Sequence, residues 1–141
     1  MKFEYFKLPV RKSKAFPSLK YILAPLVEAK IYYRQQTARP FLVYLDTGSD
    51  FCFFDSRIGE LLGVAVKTGK QLETKGIGGG FFKSYFHQVK LEIAEVKYST
   101  EVGFVDNLSQ ISAGILGQIG FFDHFKTCFD LKNDVIEVVP K

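Results

Sequence analysis

What most constrains the fold of this chain is alternation with a period of two. In "LVEAKIYY", Leu26 to Tyr33, the residues Val27, Ala29 and Ile31 share one face while Glu28 and Lys30 share the other. Successive side chains of a strand point to opposite faces, so this is the pattern of a half-buried strand. Further strands are expected in "FLVYL", "QLETKGI", "FFKSYFHQVKLEIAEV" and "STEVGFV". The polar bridge "RQQTARP" ahead of "FLVYL" predicts an antiparallel pair whose second member runs directly into Asp46. One short helix is predicted in "DSRIGELLGV", with Asp55 or Ser56 as N-cap, Ile58, Leu61 and Leu62 as its apolar face and Gly63 as its stop. In "GILGQIGFFDHF", Ile119, Phe122 and Phe125 recur at helical spacing, and "TCFDLKNDVIEVV" predicts a closing hairpin with Lys132, Asn133 and Asp134 at its turn. Strands on both sides of one or two short helices give an all-β, barrel-like fold.

A chain of 141 residues that is 47% apolar can bury one substantial core and is short for two. Residues 1–141 are therefore read as one domain, with 1–20 as a peripheral basic N-terminal segment. The net charge is only +4, and its surplus gathers in "KLPVRKSK", Lys7 to Lys14. Basic segments can touch nucleic acid or acidic membrane surfaces, but no nucleic-acid motif or aromatic-interleaved stripe accompanies this one. It reads as a solvated tail or surface loop, with neither nucleic acid nor membrane as a partner. Charges from Lys2 to Lys14 leave no room for the apolar centre of a secretory signal, and "YILAPLV" is far short of a membrane span. A cytoplasmic location is expected. Cys52 and Cys128, each beside phenylalanine, read as small buried hydrophobes rather than as a disulfide. His87 and His124 occur outside any Cys, Asp or Glu cluster, so no metal and no cofactor is expected.

The residues with the most chemistry lie in "FLVYLDTGSDFCFF", Phe41 to Phe54, where Asp46 interrupts a strongly apolar run. A carboxylate at a strand end walled by apolar side chains is partly desolvated and favours its neutral form. The same Asp-Thr-Gly triplet also fits an Asx-type turn capping a hairpin. The string "GIGGG", Gly76 to Gly80, admits three readings: an anion-cradling loop, a mobile flap or a plain hairpin end. It lacks the Lys-Ser/Thr ending of a P-loop. No Gly-x-Ser-x-Gly elbow supports a serine nucleophile at Ser49 or Ser56. Phe81, Phe82, Tyr85 and Phe86 are expected to fill the core or a cleft.

"LDTGSD" resembles the active-site loop of the retropepsin-like aspartic proteases, and "GILGQIGFFDHF" resembles their second signature, two apolar residues and a glycine followed by a short helix. Here the matching signature residues are Ile115, Leu116 and Gly117. "KGIGGGFF" lies between the two, where retroviral members carry a glycine-rich flap. "PLVEAKIYY" is similar to the family's opening strand and "CFDLKNDVIEV" to its last hairpin, so the resemblance spans most of Leu23 to Val139. It implies a closed barrel-like acid-protease fold and an aspartic endopeptidase cutting extended peptide or protein substrates. One such loop in a short chain is half of a site, so a two-fold homodimer pairing Asp46 with its copy is implied. By the same resemblance Asp46, Thr47 and Gly48 are catalytic, with Thr47 bonding across the axis. Ser49, Asp50, Ile77, Gly78, Gly79 and Gly80 bind substrate, and the Ser49 hydroxyl is expected to donate to Asp46. Retroviral members follow the Leu-Gly pair with arginine, an ion-pair partner for the acid matching Asp50, where this chain has Gln118. Arg39 and Arg57 are candidate replacements. The alternative reading is a non-catalytic binding or dimerisation module of the same fold.

Overall fold

In the computed structural model, which describes residues 1–76, 78–108 and 112–141, the period-two alternation becomes thirteen strands. They follow as β1 (Lys2–Phe3), β2 (Phe6–Pro9), β3 (Tyr21–Ala24), β4 (Leu26–Tyr33), β5 (Gln36–Thr37), β6 (Phe41–Leu45) and β7 (Phe53–Asp55). After the helix α1 (Ser56–Leu61) come β8 (Lys70–Lys75), β9 (Phe81–Ile93), β10 (Val96–Val105), β11 (Gly114–Leu116), β12 (Phe125–Asp130) and β13 (Val135–Pro140). Six of them, β4, β6, β11, β7, β10 and β9, hydrogen-bond in that order, and β9 pairs back onto β4 with Ile31 opposite Leu91. The ring is a closed barrel, so these strands have no free edge. The inward residues of each strand meet at its centre: Val27, Ala29 and Ile31 of β4, Val43 and Leu45 of β6, Leu91 and Ile93 of β9, and Phe104 of β10 are all buried.

The antiparallel pairing of β4 with β6 is as the polar bridge predicts. The long run "FFKSYFHQVKLEIAEV" is instead two strands, because Ala94 and Glu95 take φ values of 51° and 64°. That left-handed pair is the tight turn whose twist matches its flanking strands. Asp55 caps α1, its carboxylate accepting from the Arg57 backbone N–H at 3.0 Å, and Gly63 ends the helix at φ 78°. The buried stripe is Ser56, Gly59 and Leu62, however, and Leu61 is 82% exposed rather than part of the apolar face. Gly59 sets this rotation: a Cβ there would lie 3.0 Å from the Phe104 ring, so the helix rests directly on the barrel.

The helix expected after Gly117 is replaced by turns over 118–124. Phe122 and Asp123 donate five residues back, to Gly117 and Gln118, and Gly120 at φ 104° breaks the winding. The closing hairpin β12–β13 forms as predicted, with the Asp130 carboxylate accepting from the Asn133 backbone at 3.1 Å. Cys52 is buried, but Cys128 is exposed. Side chains alternate along β12, so the neighbour of a core-facing residue points outward. The first residues are tied into the body: β1 pairs with β13, the N-terminal amine donates to the Val138 carbonyl, and Tyr5 is buried with its N–H on Asp134. The β2–β3 ribbon is a separate two-stranded sheet.

Candidate active site

Strand β6 delivers Asp46. Val43 and Leu45 fix the strand in the core, and the chain then turns out of the barrel, leaving Asp46, Thr47 and Gly48 exposed. The dry setting expected of Asp46 is therefore not made within one chain: the apolar residues around it belong to the strand beneath. Its Oδ1 accepts from the Gly48 N–H at 2.9 Å, and its carbonyl from the Ser49 N–H at 3.1 Å. The Asx-type turn and the exposed carboxylate are thus the same structure, with one carboxylate oxygen holding the loop. The Ser49 hydroxyl does not reach Asp46. It donates to the Phe51 carbonyl at 2.8 Å, because the turn carries the chain away at that residue.

The second signature is what clamps this loop. Strand β11 lies parallel to β6, with Leu116 opposite Leu45, and antiparallel to β7, with Ile115 opposite Phe53. It therefore sits between the strands that enter and leave the loop. Asp46 N–H donates to the Leu116 carbonyl at 3.0 Å, Gln118 N–H to Ser49 at 2.9 Å and Ile119 N–H to Asp50 at 2.9 Å. Gly117 makes this approach possible, since a Cβ there would fall 2.2 Å from the Phe51 carbonyl oxygen. Gln118 adds a side-chain tie, its Nε2 donating to the Thr47 carbonyl at 2.7 Å. Neither candidate replacement for the family arginine reaches Asp50: Arg39 is exposed, and the Arg57 guanidinium lies 3.1 Å from the Asp55 carboxylate.

Asp46, Gly48, Ser49 and Asp50 form one wall of a cleft of about 520 Å³. The β8–β9 hairpin contributes Thr74, Lys75, Gly76 and Phe82 to the other side, so the glycine string begins at the cleft's edge. Gly76 and Gly80 close the hairpin through an N–H to carbonyl bond of 2.8 Å. Gly78 and Gly79 take φ values of 94° and 85° with open space around them, and Ile77 lies outside the described residues. Gly78, Gly79 and Gly80 do not line the cleft. The floor is aromatic. Phe51 and Phe86 meet edge-on at 5.4 Å and Phe53 and Phe82 at 5.5 Å, a geometry that aromatic pairs favour. Val105, Asp106, Asn107, Leu108 and Ile115 complete the lining.

Sequence reasoning missed Phe51, Phe53, Lys75 and Asp106 as cleft residues. The clue available for the first two was their alternation with Cys52, which is buried and pushed up to about 12 chiefly by that burial. A strand with cysteine inward presents both phenylalanines to the other face. Tyr98, also raised by burial, donates to the Gly120 carbonyl and props the 118–124 turns. His87 has its Nε2 2.7 Å from the Val66 carbonyl, and His124 is partly exposed beside Asp123. Among the described residues no group of His, Cys, Asp and Glu is arranged to hold a metal ion. Nor is any helix there long and apolar enough to cross a membrane.

No protein-family model matches the chain, and no curated protein matches it in sequence. Among solved structures, EIAV protease complexed with the inhibitor HBY-793 is similar, with a TM-score of 0.51 at 21% identity, over 67% of this chain and 82% of that one. At that identity the likeness speaks to architecture, and the fold of this chain is that of the retropepsin-like acid proteases.

Proposed function

We propose that the protein is an aspartic endopeptidase of 1–141 as a single domain, active as a homodimer and acting on extended peptide segments. The observation that carries this reading is Asp46: an exposed carboxylate at the mouth of an aromatic cleft, on a loop whose backbone is bonded to Leu116, Gln118 and Ile119. A two-fold axis beside that loop brings two Asp46 carboxylates together. Like charges at close range retain one proton between them and titrate as a pair. The ionised member then takes a proton from a shared water, which attacks the scissile carbonyl, while the protonated member donates to the carbonyl oxygen. The second chain also supplies the desolvation that one chain lacks. Thr47 bonds across the axis, Asp50 holds substrate backbone, and the hairpin tip at Gly78–Gly80 folds over a bound peptide. Hydrophobic side chains flanking the cut suit the floor of Phe51, Phe53 and Phe82. The two free cysteines fit a reducing, cytoplasmic setting.

One observation favours the second reading, a non-catalytic dimerisation or binding module. The family arginine is replaced by Gln118, whose amide is engaged by Thr47 rather than by Asp50. Incubating wild type and Asp46→Asn with a peptide library across a pH series separates the two. The protease reading expects cleavage by wild type and at least about a 1,000-fold loss in the variant, the scale of removing an essential catalytic group. Equal cleavage by both removes Asp46 from the reaction, and no cleavage by either leaves the binding module.

A further inference from the structure

The β2–β3 ribbon differs in composition from the rest of the molecule. From Tyr5 to Val27 the sequence holds Lys7, Arg11, Lys12, Lys14 and Lys20 and no acidic residue. Taking these five from the 19 basic residues leaves 14 against 15 acidic ones elsewhere, so the whole positive balance resides in this arm. Its apolar residues are equally unusual. The register pairs Phe6 with Ala24 and Leu8 with Ile22, which puts all four on one face. Ala24 is buried at the base, whereas Phe6 and Ile22 remain 45% and 44% exposed.

The connecting loop continues the pattern. Residues 11–20 are all exposed, and Phe16, at 66%, stands out most. The loop is nonetheless internally bonded: Phe16 N–H donates to the Ser13 hydroxyl at 3.1 Å, Leu19 N–H to the Phe16 carbonyl at 3.2 Å and Val10 N–H to the Lys20 carbonyl at 3.1 Å. These bonds hold Phe16 and Leu19 at a tip flanked by Lys12, Lys14 and Lys20. An open hollow of about 580 Å³ runs beside the ribbon between Leu19 and Leu131. The arm therefore exposes apolar side chains in the same loop as Lys12, Lys14 and Lys20.

That combination discriminates among acidic partners. A nucleic acid takes cations plus flat side chains for stacking; the arm has Phe6, Phe16 and Tyr21 exposed for that, but Leu8, Leu19 and Ile22 beside them add aliphatic surface that stacking does not use. A lipid interface takes aliphatic and aromatic side chains alike at the acyl boundary and matches cations to headgroup phosphates. We infer that the β2–β3 arm is a docking surface for an anionic lipid bilayer, entering it with Phe16 and Leu19 while the lysines around them meet the headgroups. The segment expected to be a solvated loop thus becomes a peripheral membrane contact, independent of whatever the Asp46 cleft does.

The test is sedimentation of the full chain with vesicles of phosphatidylcholine alone and of phosphatidylcholine mixed equally with phosphatidylserine. Binding is expected to the mixed vesicles only and to weaken as salt rises. Neutralising two cations, Lys12→Gln with Lys14→Gln, should weaken it about 30-fold, and Phe16→Ser with Leu19→Ser about tenfold or more. All four positions are exposed, so melting curves of the variants should match wild type. Failure to bind mixed vesicles, or equal binding to both compositions, overturns the proposal. So does retention of vesicle binding in the Phe16→Ser, Leu19→Ser variant, or capture of a single-stranded oligonucleotide in place of vesicles.

Discussion

Two glycine-bearing segments border the cleft, and they are built on opposite principles. At Gly117 the fold leaves no room: a Cβ would lie 2.2 Å from the Phe51 carbonyl oxygen and 2.6 Å from that of Ser49. At Gly78 and Gly79 nothing lies within 4 Å, and glycine serves the left-handed backbone of the hairpin tip. The first glycine lets two backbones zip together beneath Asp46. The second lets a strand pair turn in open space. One side of the cleft is thus fixed by hydrogen bonds at its base, while Gly78 and Gly79 on the other have open space around them, the division that the proposed protease would use as a fixed floor and a movable cover.

The sharpest way to break that contrast is a methyl group at each place. Gly117→Ala drives Cβ into backbone oxygens that cannot move without opening the Asp46 loop, and should cost about 3 kcal/mol or more. In thermal denaturation that is a fall of roughly 10 °C in Tm. Gly78→Ala meets no atom and bears only the left-handed φ, about 1 kcal/mol. Its Tm should move little while its peptide turnover changes, because the hairpin tip takes a new shape. Equal destabilisation by the two substitutions would erase the distinction.

A smaller effect is expected at the residue behind the loop. Cys52 sits under the zipped side with its Sγ accepting from Gly117 N–H at 3.3 Å, whereas Cys128 lies exposed on β12. Burial raises the Cys52 thiol from 9.0 to about 12, so the folded state favours the protonated form. That contribution to stability is complete below pH 9 and is lost as pH rises from there through about 12. A thiol reagent at neutral pH should modify Cys128 alone, and Cys128→Ser should leave the native chain unlabelled. Reaction at Cys52 should begin only as alkali opens the loop. Rapid labelling of both at neutral pH would show that the zipped side is loose.

The sequence disclosed some of this more readily than the rest, for physical reasons. Alternation located β4 because it faces the core on one side and solvent on the other, whereas β6 was marked by its continuous apolar run after the polar bridge. The Asp55 cap and the Gly63 stop marked α1 because they satisfy local backbone groups. Helical spacing misled at Ile119, Phe122 and Phe125: Gly120 and the pull of the Ser49 and Asp50 carbonyls on the 118–119 amides outweighed it. The Ser49 hydroxyl and the exposure of Asp46 were equally out of reach, since a side chain's partner across a turn depends on where the turn points. The clamp by Gln118 was legible only as a departure, and its bond to Thr47 needed the fold to bring 71 residues of separation to 2.7 Å.

In the proposed protease each chain holds half of the active site. Peptide turnover per chain, measured against protein concentration through the range in which sedimentation shows monomers giving way to dimers, tests it most directly. Paired Asp46 carboxylates predict that turnover per chain vanishes with dilution and rises to a plateau in step with the dimer. Turnover per chain that stays constant where only monomer is present would contradict it.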